Sequence, residues 1–131
     1  MYHLSNRSIS RLEGVHPDLV KVTMRAIQLS PYDFGVSEGV RNIETQKQYV
    51  ADGKSTTMDS LHLPQDDDFS HAVDIYTLVN GSTTWEHKYF RKVIQAFFTA
   101  AIELGVQIEV GALWRDFLDS PHIQLGSIYR K

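Results

Sequence analysis

The sequence predicts an α+β domain in which three or so helices pack against a small, mainly antiparallel sheet. Helical patterns come first along the chain, short strand patterns follow, and one long amphipathic helix lies among those strands. With 131 residues and 42% hydrophobic content, the chain has the size and apolar content of one ordinary domain. We therefore expect a single domain over residues 1–131.

Three elements are expected in the first part of the chain. Pro17, at a position where helices favour proline, begins an apolar helical pattern that ends near residue 30. A short strand is expected around residues 34–37. Residues 43–51 are expected to form a second helix, because Gly53 follows as a C-terminal stop.

A long loop is expected over residues 52–70, which mix glycine, serine, proline and acidic side chains. Loops of that length are uncommon unless they carry function. The apolar run 72–78 that follows has strand character. Thr83 and Glu86 have the spacing of a capping box, which predicts that the long helix begins there and continues to Gly105.

Two short strands are expected near the C-terminal end. Val106, Ile108 and Val110 alternate with polar residues, which is the pattern of a half-buried strand. The last strand is expected at residues 122–125. With the earlier strand patterns, these segments complete the predicted sheet.

Composition excludes several classes of protein. The chain has no cysteine, so disulfides and thiolate metal sites are impossible, and any metal must be bound by histidine and carboxylate groups. A formal charge of −3 argues against a nucleic-acid binder, because tracking phosphates needs a basic surface. We expect no membrane insertion, since no apolar run approaches the ~18 residues of a span, and the N-terminus has no apolar core of a signal peptide. A monomer is expected.

Asp74 is the first candidate for a functional residue. It lies in the apolar run 72–76, where an unpaired carboxylate is costly to bury, so it needs a cation from an ion pair or a metal. His71 is an odd number of residues away and would face the opposite side of a strand. His62 lies on the flexible approach and can fold back over Asp74, which favours His62 as its partner.

His122 is the second candidate, because it follows Asp119 by three residues and Pro121 fixes the backbone just before it. A bend there would aim both side chains into one space, as a metal ligand beside a general base, although a chance pairing in a turn is an equal alternative. Two histidines and one aspartate would leave a fourth tetrahedral position open, which is the pattern of a catalytic zinc site. Hydrolysis is the chemistry that such a site favours.

Short motifs, in this order along the chain, resemble the signature of the VanY- and VanX-type zinc peptidases, which is Ser-x-His, Ala-x-Asp and Asp/Glu-x-x-His. That group includes D-alanyl-D-alanine carboxypeptidases and phage L-alanyl-D-glutamate peptidases, and hedgehog signalling domains resemble it in fold. The likeness covers nearly the whole chain, and segments 29–34, 39–41 and 111–114 look especially like the phage enzymes. The motifs are Ser60-Leu61-His62, Ala72-Val73-Asp74 and Asp119-Ser120-Pro121-His122.

The resemblance implies a role for each residue of these motifs. His62, Asp74 and His122 would ligate Zn²⁺, and Asp119 would be the general base that later protonates the leaving amine. The interval between the first histidine and the aspartate is longer here than is usual in the family. His71 therefore stays the alternative first ligand.

Two further residues match positions that bind substrate in the family. Arg41 matches the arginine that orients the substrate, and a guanidinium suits this role because it offers a planar pair of donors. Ser60 matches the serine of the first motif, which is expected to contact a substrate carboxylate. Without the resemblance, Arg41 would be interpreted as a surface arginine at the start of a helix.

The function implied by the resemblance is that of a bacteriophage endolysin. Such an enzyme is a zinc endopeptidase that hydrolyses the L-alanyl-D-glutamate bond of peptidoglycan stem peptides and thereby lyses the host cell. The alternatives are a D-alanyl-D-alanine carboxypeptidase and a non-catalytic, zinc-containing binding module on the same scaffold. Without an export signal, the enzyme would wait in the host cytoplasm until a separate hole-forming protein releases it to the cell wall.

Overall fold

A computed structural model describes residues 1–55, 58–111 and 122–130 of the chain. Four α-helices lie within these residues: α1 (Asn6–Arg11), α2 (Pro17–Leu29), α3 (Ile43–Ala51) and α4 (His87–Leu104). The strands described are β1 (Asp33–Glu38), β2 (Ala72–Val79), β3 (Ser82–Thr84), β4 (Ile108–Val110) and β5 (His122–Leu125). A 3₁₀ turn at Ser127–Tyr129 follows the last strand.

The strands form one antiparallel sheet in the order β1-β2-β5-β4, with β3 paired to β2 as well. This arrangement confirms the predicted α+β class and the antiparallel sheet. In the β2–β5 pair, Asp74 lies opposite His122, and in the β1–β2 pair Glu38 lies opposite Asp74. The central strand β2 therefore places residues from three strands side by side.

The core lies on one face of the sheet, beneath α2 and α4. Alternate residues of β2 and β5 are fully buried in it, and Phe97 of α4 packs there with its ring centroid 5.2 Å from that of Phe34. Because successive side chains of a strand point to opposite faces, Asp74 and His122 project from the other face. The buried strand residues are Val73, Ile75, Ile123 and Leu125.

None of the described helices is long and apolar enough to cross a lipid bilayer.

Helix α1 is an element that the sequence patterns did not predict. Ser5 caps it, since its Oγ accepts a hydrogen bond from Ser8 N at 3.1 Å. The helix lies against β1, where Ser8 Oγ accepts from Val36 N at 2.9 Å and Arg11 Nη1 donates to Val36 O at 2.9 Å. At six residues, α1 is too short to show a clear amphipathic period.

The predicted capping box of α4 is wrong. Helix α4 begins one residue after Glu86, whose side chain makes no capping hydrogen bond, and Thr83 belongs to β3. The reason is a hairpin: Asn80 and Gly81 have positive φ angles of 53° and 80°, and this Asn-Gly turn folds β3 back onto β2. The pairing of β3 with β2 outweighs a local helix signal.

The segment before β2 is held in place by backbone hydrogen bonds. Within residues 58–70, Leu61 O accepts from His71 N at 2.8 Å, which ties the segment to the start of β2. His62 O accepts from Arg41 N at 2.9 Å, which ties it to the chain between β1 and α3. These bonds fix the position of His62 beside the sheet.

Candidate metal centre

His62, Asp74 and His122 come together on the open face of the sheet. Asp74 Oδ1 lies 3.2 Å from His62 Nε2 and 3.2 Å from His122 Nδ1. One nitrogen or oxygen atom from each residue lies within 4.8 Å of the other two, and no other such group of three is present in residues 1–55, 58–111 and 122–130. His62, Asp74 and His122, the metal group, could therefore hold a metal ion.

The hydrogen bonds of His62 define which of its ring nitrogens faces this group. His62 is buried, and its Nδ1 lies 2.8 Å from the carbonyl oxygen of Gly39. A carbonyl oxygen only accepts, so Nδ1 carries the proton and donates. In the neutral imidazole, Nε2 is left with a lone pair that faces the carboxylate of Asp74.

The charge of Asp74 and the atoms around it suit a bound cation. Burial raises the pKa of Asp74, but its contacts with the His122 and His62 rings outweigh this effect and hold the pKa well below its usual range. The carboxylate is therefore ionised. When His62 is neutral, its Nε2 and Asp74 Oδ1 are both acceptors only 3.2 Å apart, and a shared cation or proton is needed to make that contact favourable. Two imidazoles and one carboxylate thus fit a metal ion in both charge and donor type.

Arg41 and Ser60 lie together beside the metal group. Arg41 is nearly buried, and its Nη1 donates to Gln46 Oε1 at 2.7 Å and to Ser60 Oγ at 3.4 Å. The guanidinium carbon lies 4.5 Å from the centroid of the Tyr49 ring, a cation–π contact. The structure therefore places the two predicted substrate-binding residues in contact, within a network that fixes the guanidinium.

Glu38 is a neighbour of the metal group that the sequence reasoning missed. Its Oε1 accepts a hydrogen bond from Arg41 Nη2 and lies 3.9 Å from His62 Nε2. The carboxylate connects the arginine network to the metal group. Its only signal in the sequence is an acidic residue three positions before Arg41, which alone does not distinguish it from a surface acid.

His71, the alternative first ligand, lies outside the metal group. Its Nε2 is 2.7 Å from Asp67 Oδ2, and His16 Nε2 lies 3.7 Å from the same oxygen. His71 is fully buried, in edge-to-face contact with His16. His71 directly precedes β2, and its separation from Asp74 agrees with the odd spacing between the two residues.

The predicted general base Asp119 lies outside the described residues, as does all of the segment 112–121. The segment ends immediately before His122, at the start of β5.

An antiparallel α+β fold with a His-Asp-His group on the open face of its sheet is an arrangement suited to a metal-dependent enzyme. Comparison with known proteins identifies the family. The family model described as phage L-alanyl-D-glutamate peptidase matches residues 1–126, and this chain belongs to that family.

Similarity to individual proteins supports the assignment to this family. The chain is 35% identical over 117 residues to the L-alanyl-D-glutamate peptidase of Escherichia phage T5, a match that covers 86% of this chain and 82% of the relative. It also matches the crystal structure of the L-Ala D-Glu endopeptidase ChiX from Serratia marcescens with a TM-score of 0.89 and 37% identity. That match covers 98% of this chain and 93% of the other. The resemblance to the phage peptidases is confirmed.

Separate His62→Ala and His71→Ala variants test which histidine binds the metal. We expect His62→Ala to lose bound metal, because its Nε2 faces Asp74, and His71→Ala to retain it, because its Nε2 faces Asp67. The measurement is the metal content of the purified, dialysed proteins by mass spectrometry. Loss of metal from His71→Ala alone would reverse the assignment.

Gly39→Ala tests whether the carbonyl that orients His62 needs its present position. A Cβ atom at Gly39 would lie 2.1 Å from the carbonyl oxygen of Arg11 and 2.9 Å from a methyl of Val15, so the backbone must shift. We expect the free energy of unfolding to fall by about 1–3 kcal/mol and metal binding to weaken. Thermal unfolding and metal titration are the measurements, with the exposed Ser37→Ala as control. Unchanged stability and affinity would show that the site tolerates the shift.

Proposed function

We propose that this chain is a zinc endopeptidase that hydrolyses the L-alanyl-D-glutamate bond of bacterial peptidoglycan stem peptides and so lyses the host cell of a phage. The observation that carries the proposal is the convergence of His62, Asp74 and His122 in a member of the phage L-alanyl-D-glutamate peptidase family. Two relatives named for the same bond, one viral and one bacterial, support the choice of substrate.

Zinc is the proposed ion because of the donor set. Zinc binds imidazole nitrogen and carboxylate oxygen, and its catalytic sites use three protein ligands with one position left for water or substrate. His62, Asp74 and His122 supply three such ligands, and the chain has no cysteine with which to complete a closed structural site. When bound, zinc supplies Lewis-acid activation of water and of the scissile carbonyl.

We propose Asp119 as the general base. It would take a proton from the attacking water and pass it to the nitrogen of D-glutamate as the peptide bond breaks. Its position three residues before His122 keeps it close in the chain to a proposed zinc ligand. A purely structural metal site has no use for such a base, so this residue separates the enzyme from a non-catalytic module.

Arg41 and Ser60 are proposed to bind a carboxylate of the substrate. A D-glutamyl residue carries a carboxylate close to the scissile bond, and a guanidinium binds such a group with paired donors. In the free protein, Arg41 Nη2 donates to Glu38 and Nη1 donates to Gln46 and Ser60. The incoming carboxylate would therefore share or replace Glu38 as the partner of Arg41.

The place of action follows from this chemistry. The polymer that is cut is peptidoglycan, so the enzyme must reach the cell wall to act. We propose that it waits in the host cytoplasm and crosses the membrane after release by a separate hole-forming protein. Action as a monomer, without nucleic acid or membrane insertion, stays a prediction.

Digestion of purified peptidoglycan by the zinc-loaded protein tests the activity. We expect mass spectrometry of the products to show stem peptides that begin with D-glutamate and glycan fragments that keep L-alanine. Chelation should abolish the reaction, and added zinc should restore it. Release of terminal D-alanine instead would identify a carboxypeptidase, and an absence of any product would indicate a binding module.

The variant Asp119→Ala tests the proposed base. We expect it to keep zinc but to lose cell-wall hydrolysis by about 10²- to 10⁴-fold, the usual contribution of general acid–base catalysis. His122→Ala should lose both zinc and activity. Asp116→Ala is the matched control, since it removes a carboxylate from the same segment. Wild-type hydrolysis by Asp119→Ala would remove Asp119 from this role.

A further inference from the structure

We infer that Gln124 is a positioning residue that fixes which ring nitrogen His122 presents to the metal, an inference that rests on the proposed zinc site. Gln124 lies two residues after His122 in β5, so both side chains project from the same face of the sheet. Gln124 Oε1 lies 2.8 Å from His122 Nε2. The opposite side of the imidazole, Nδ1, lies 3.2 Å from Asp74 Oδ1.

The amide oxygen of Gln124 determines which ring nitrogen of His122 carries the proton. An amide oxygen is an acceptor, so His122 Nε2 carries the proton and donates to it. A neutral imidazole has only one N–H, which leaves a lone pair on Nδ1, directed at the metal group. In the other tautomer, Nδ1–H would donate to Asp74 and would occupy the direction in which a metal must bind.

Contacts on both sides of the ring support a positioning role. His122 and His62 meet edge to face, with their ring centroids 5.1 Å apart and their planes at 83°. A ring flip of His122 would turn a carbon atom toward Asp74 and another toward Gln124, so both polar contacts would be lost together. Gln124 therefore holds the ring in the orientation that presents Nδ1.

The two histidines of the site are held in different ways. His62 donates from Nδ1 to a backbone carbonyl, that of Gly39, which no side-chain replacement removes. His122 donates from Nε2 to a side chain, which can be replaced without altering the backbone of β5. Loss of an outer partner of a metal-binding histidine typically weakens metal affinity by about 10- to 100-fold. A substitution at Gln124 is thus expected to change the affinity of the site for the metal.

Two substitutions of Gln124 test the inference. Gln124→Met keeps the length of the side chain but removes the acceptor, and we expect the dissociation constant for zinc to rise by about 10- to 100-fold. Gln124→Glu keeps an acceptor and should bind zinc at least as tightly as the unaltered protein. Gln95→Met, on the exposed face of α4, is the matched control and should change nothing. Zinc affinity is measured by competition with a chromophoric chelator, and circular dichroism checks folding.

Nitrogen NMR of the histidine rings in the zinc-loaded, unaltered protein is an independent measurement that needs no variant. We expect His122 to show a metal-bound Nδ1 and a protonated Nε2. Binding through Nε2, or an unchanged zinc affinity in folded Gln124→Met, would overturn the inference.

These tests also separate the inference from the proposed function. If Gln124→Met loses zinc affinity while the unaltered, zinc-loaded protein cuts no peptidoglycan, the positioning role stands and the proposed activity fails. If the protein binds no zinc at all, both fail. Activity of Gln124→Met that returns to the unaltered level at saturating zinc supports the positioning role, because the substitution then acts only through metal occupancy.

Discussion

The pairing of β2 with β5 is the constraint on which the rest of the site depends. It sets Asp74 opposite His122, and the alternation of side chains then directs both away from the core. A slip of one residue would turn Asp74 into the apolar layer beneath α4, where an ionised carboxylate is costly. The register is held by Val73 and Ile123, which are opposite each other and fully buried. Hydrophobic burial on one face therefore fixes the geometry of the polar group on the other.

The third member of the group reaches the sheet by a different route. His62 lies outside any strand, and its backbone carbonyl and its ring both bond to the chain between β1 and α3. The same stretch of chain carries Arg41, which is linked through Glu38 to the edge of the metal group. The residues proposed to bind substrate and those proposed to bind metal are thus linked through one stretch of chain. A change that moves Gly39 would act on both.

The sequence predicted those structural features that depend on local patterns of residues. The bounds of α2, α3 and β5 follow from proline, glycine and apolar periodicity. The odd spacing between His71 and Asp74 predicted that their side chains diverge, and the ring of His71 faces Asp67 in the structure. Helix α1 was missed because it is short, and β3 because pairing with β2 overrode a helix signal. Glu38 and Gln124 could not be found, because their importance comes from long-range register and from a contact between side chains.

Side chains of α1 form hydrogen bonds with the backbone at the outer edge of β1. At Val36 both the amide N–H and the carbonyl are used, by Ser8 and by Arg11 respectively, on the side of β1 that faces away from β2. An outer strand with free backbone groups is a template on which a second molecule can assemble. With these groups occupied, the edge of the sheet is closed at that point to the pairing of an additional strand.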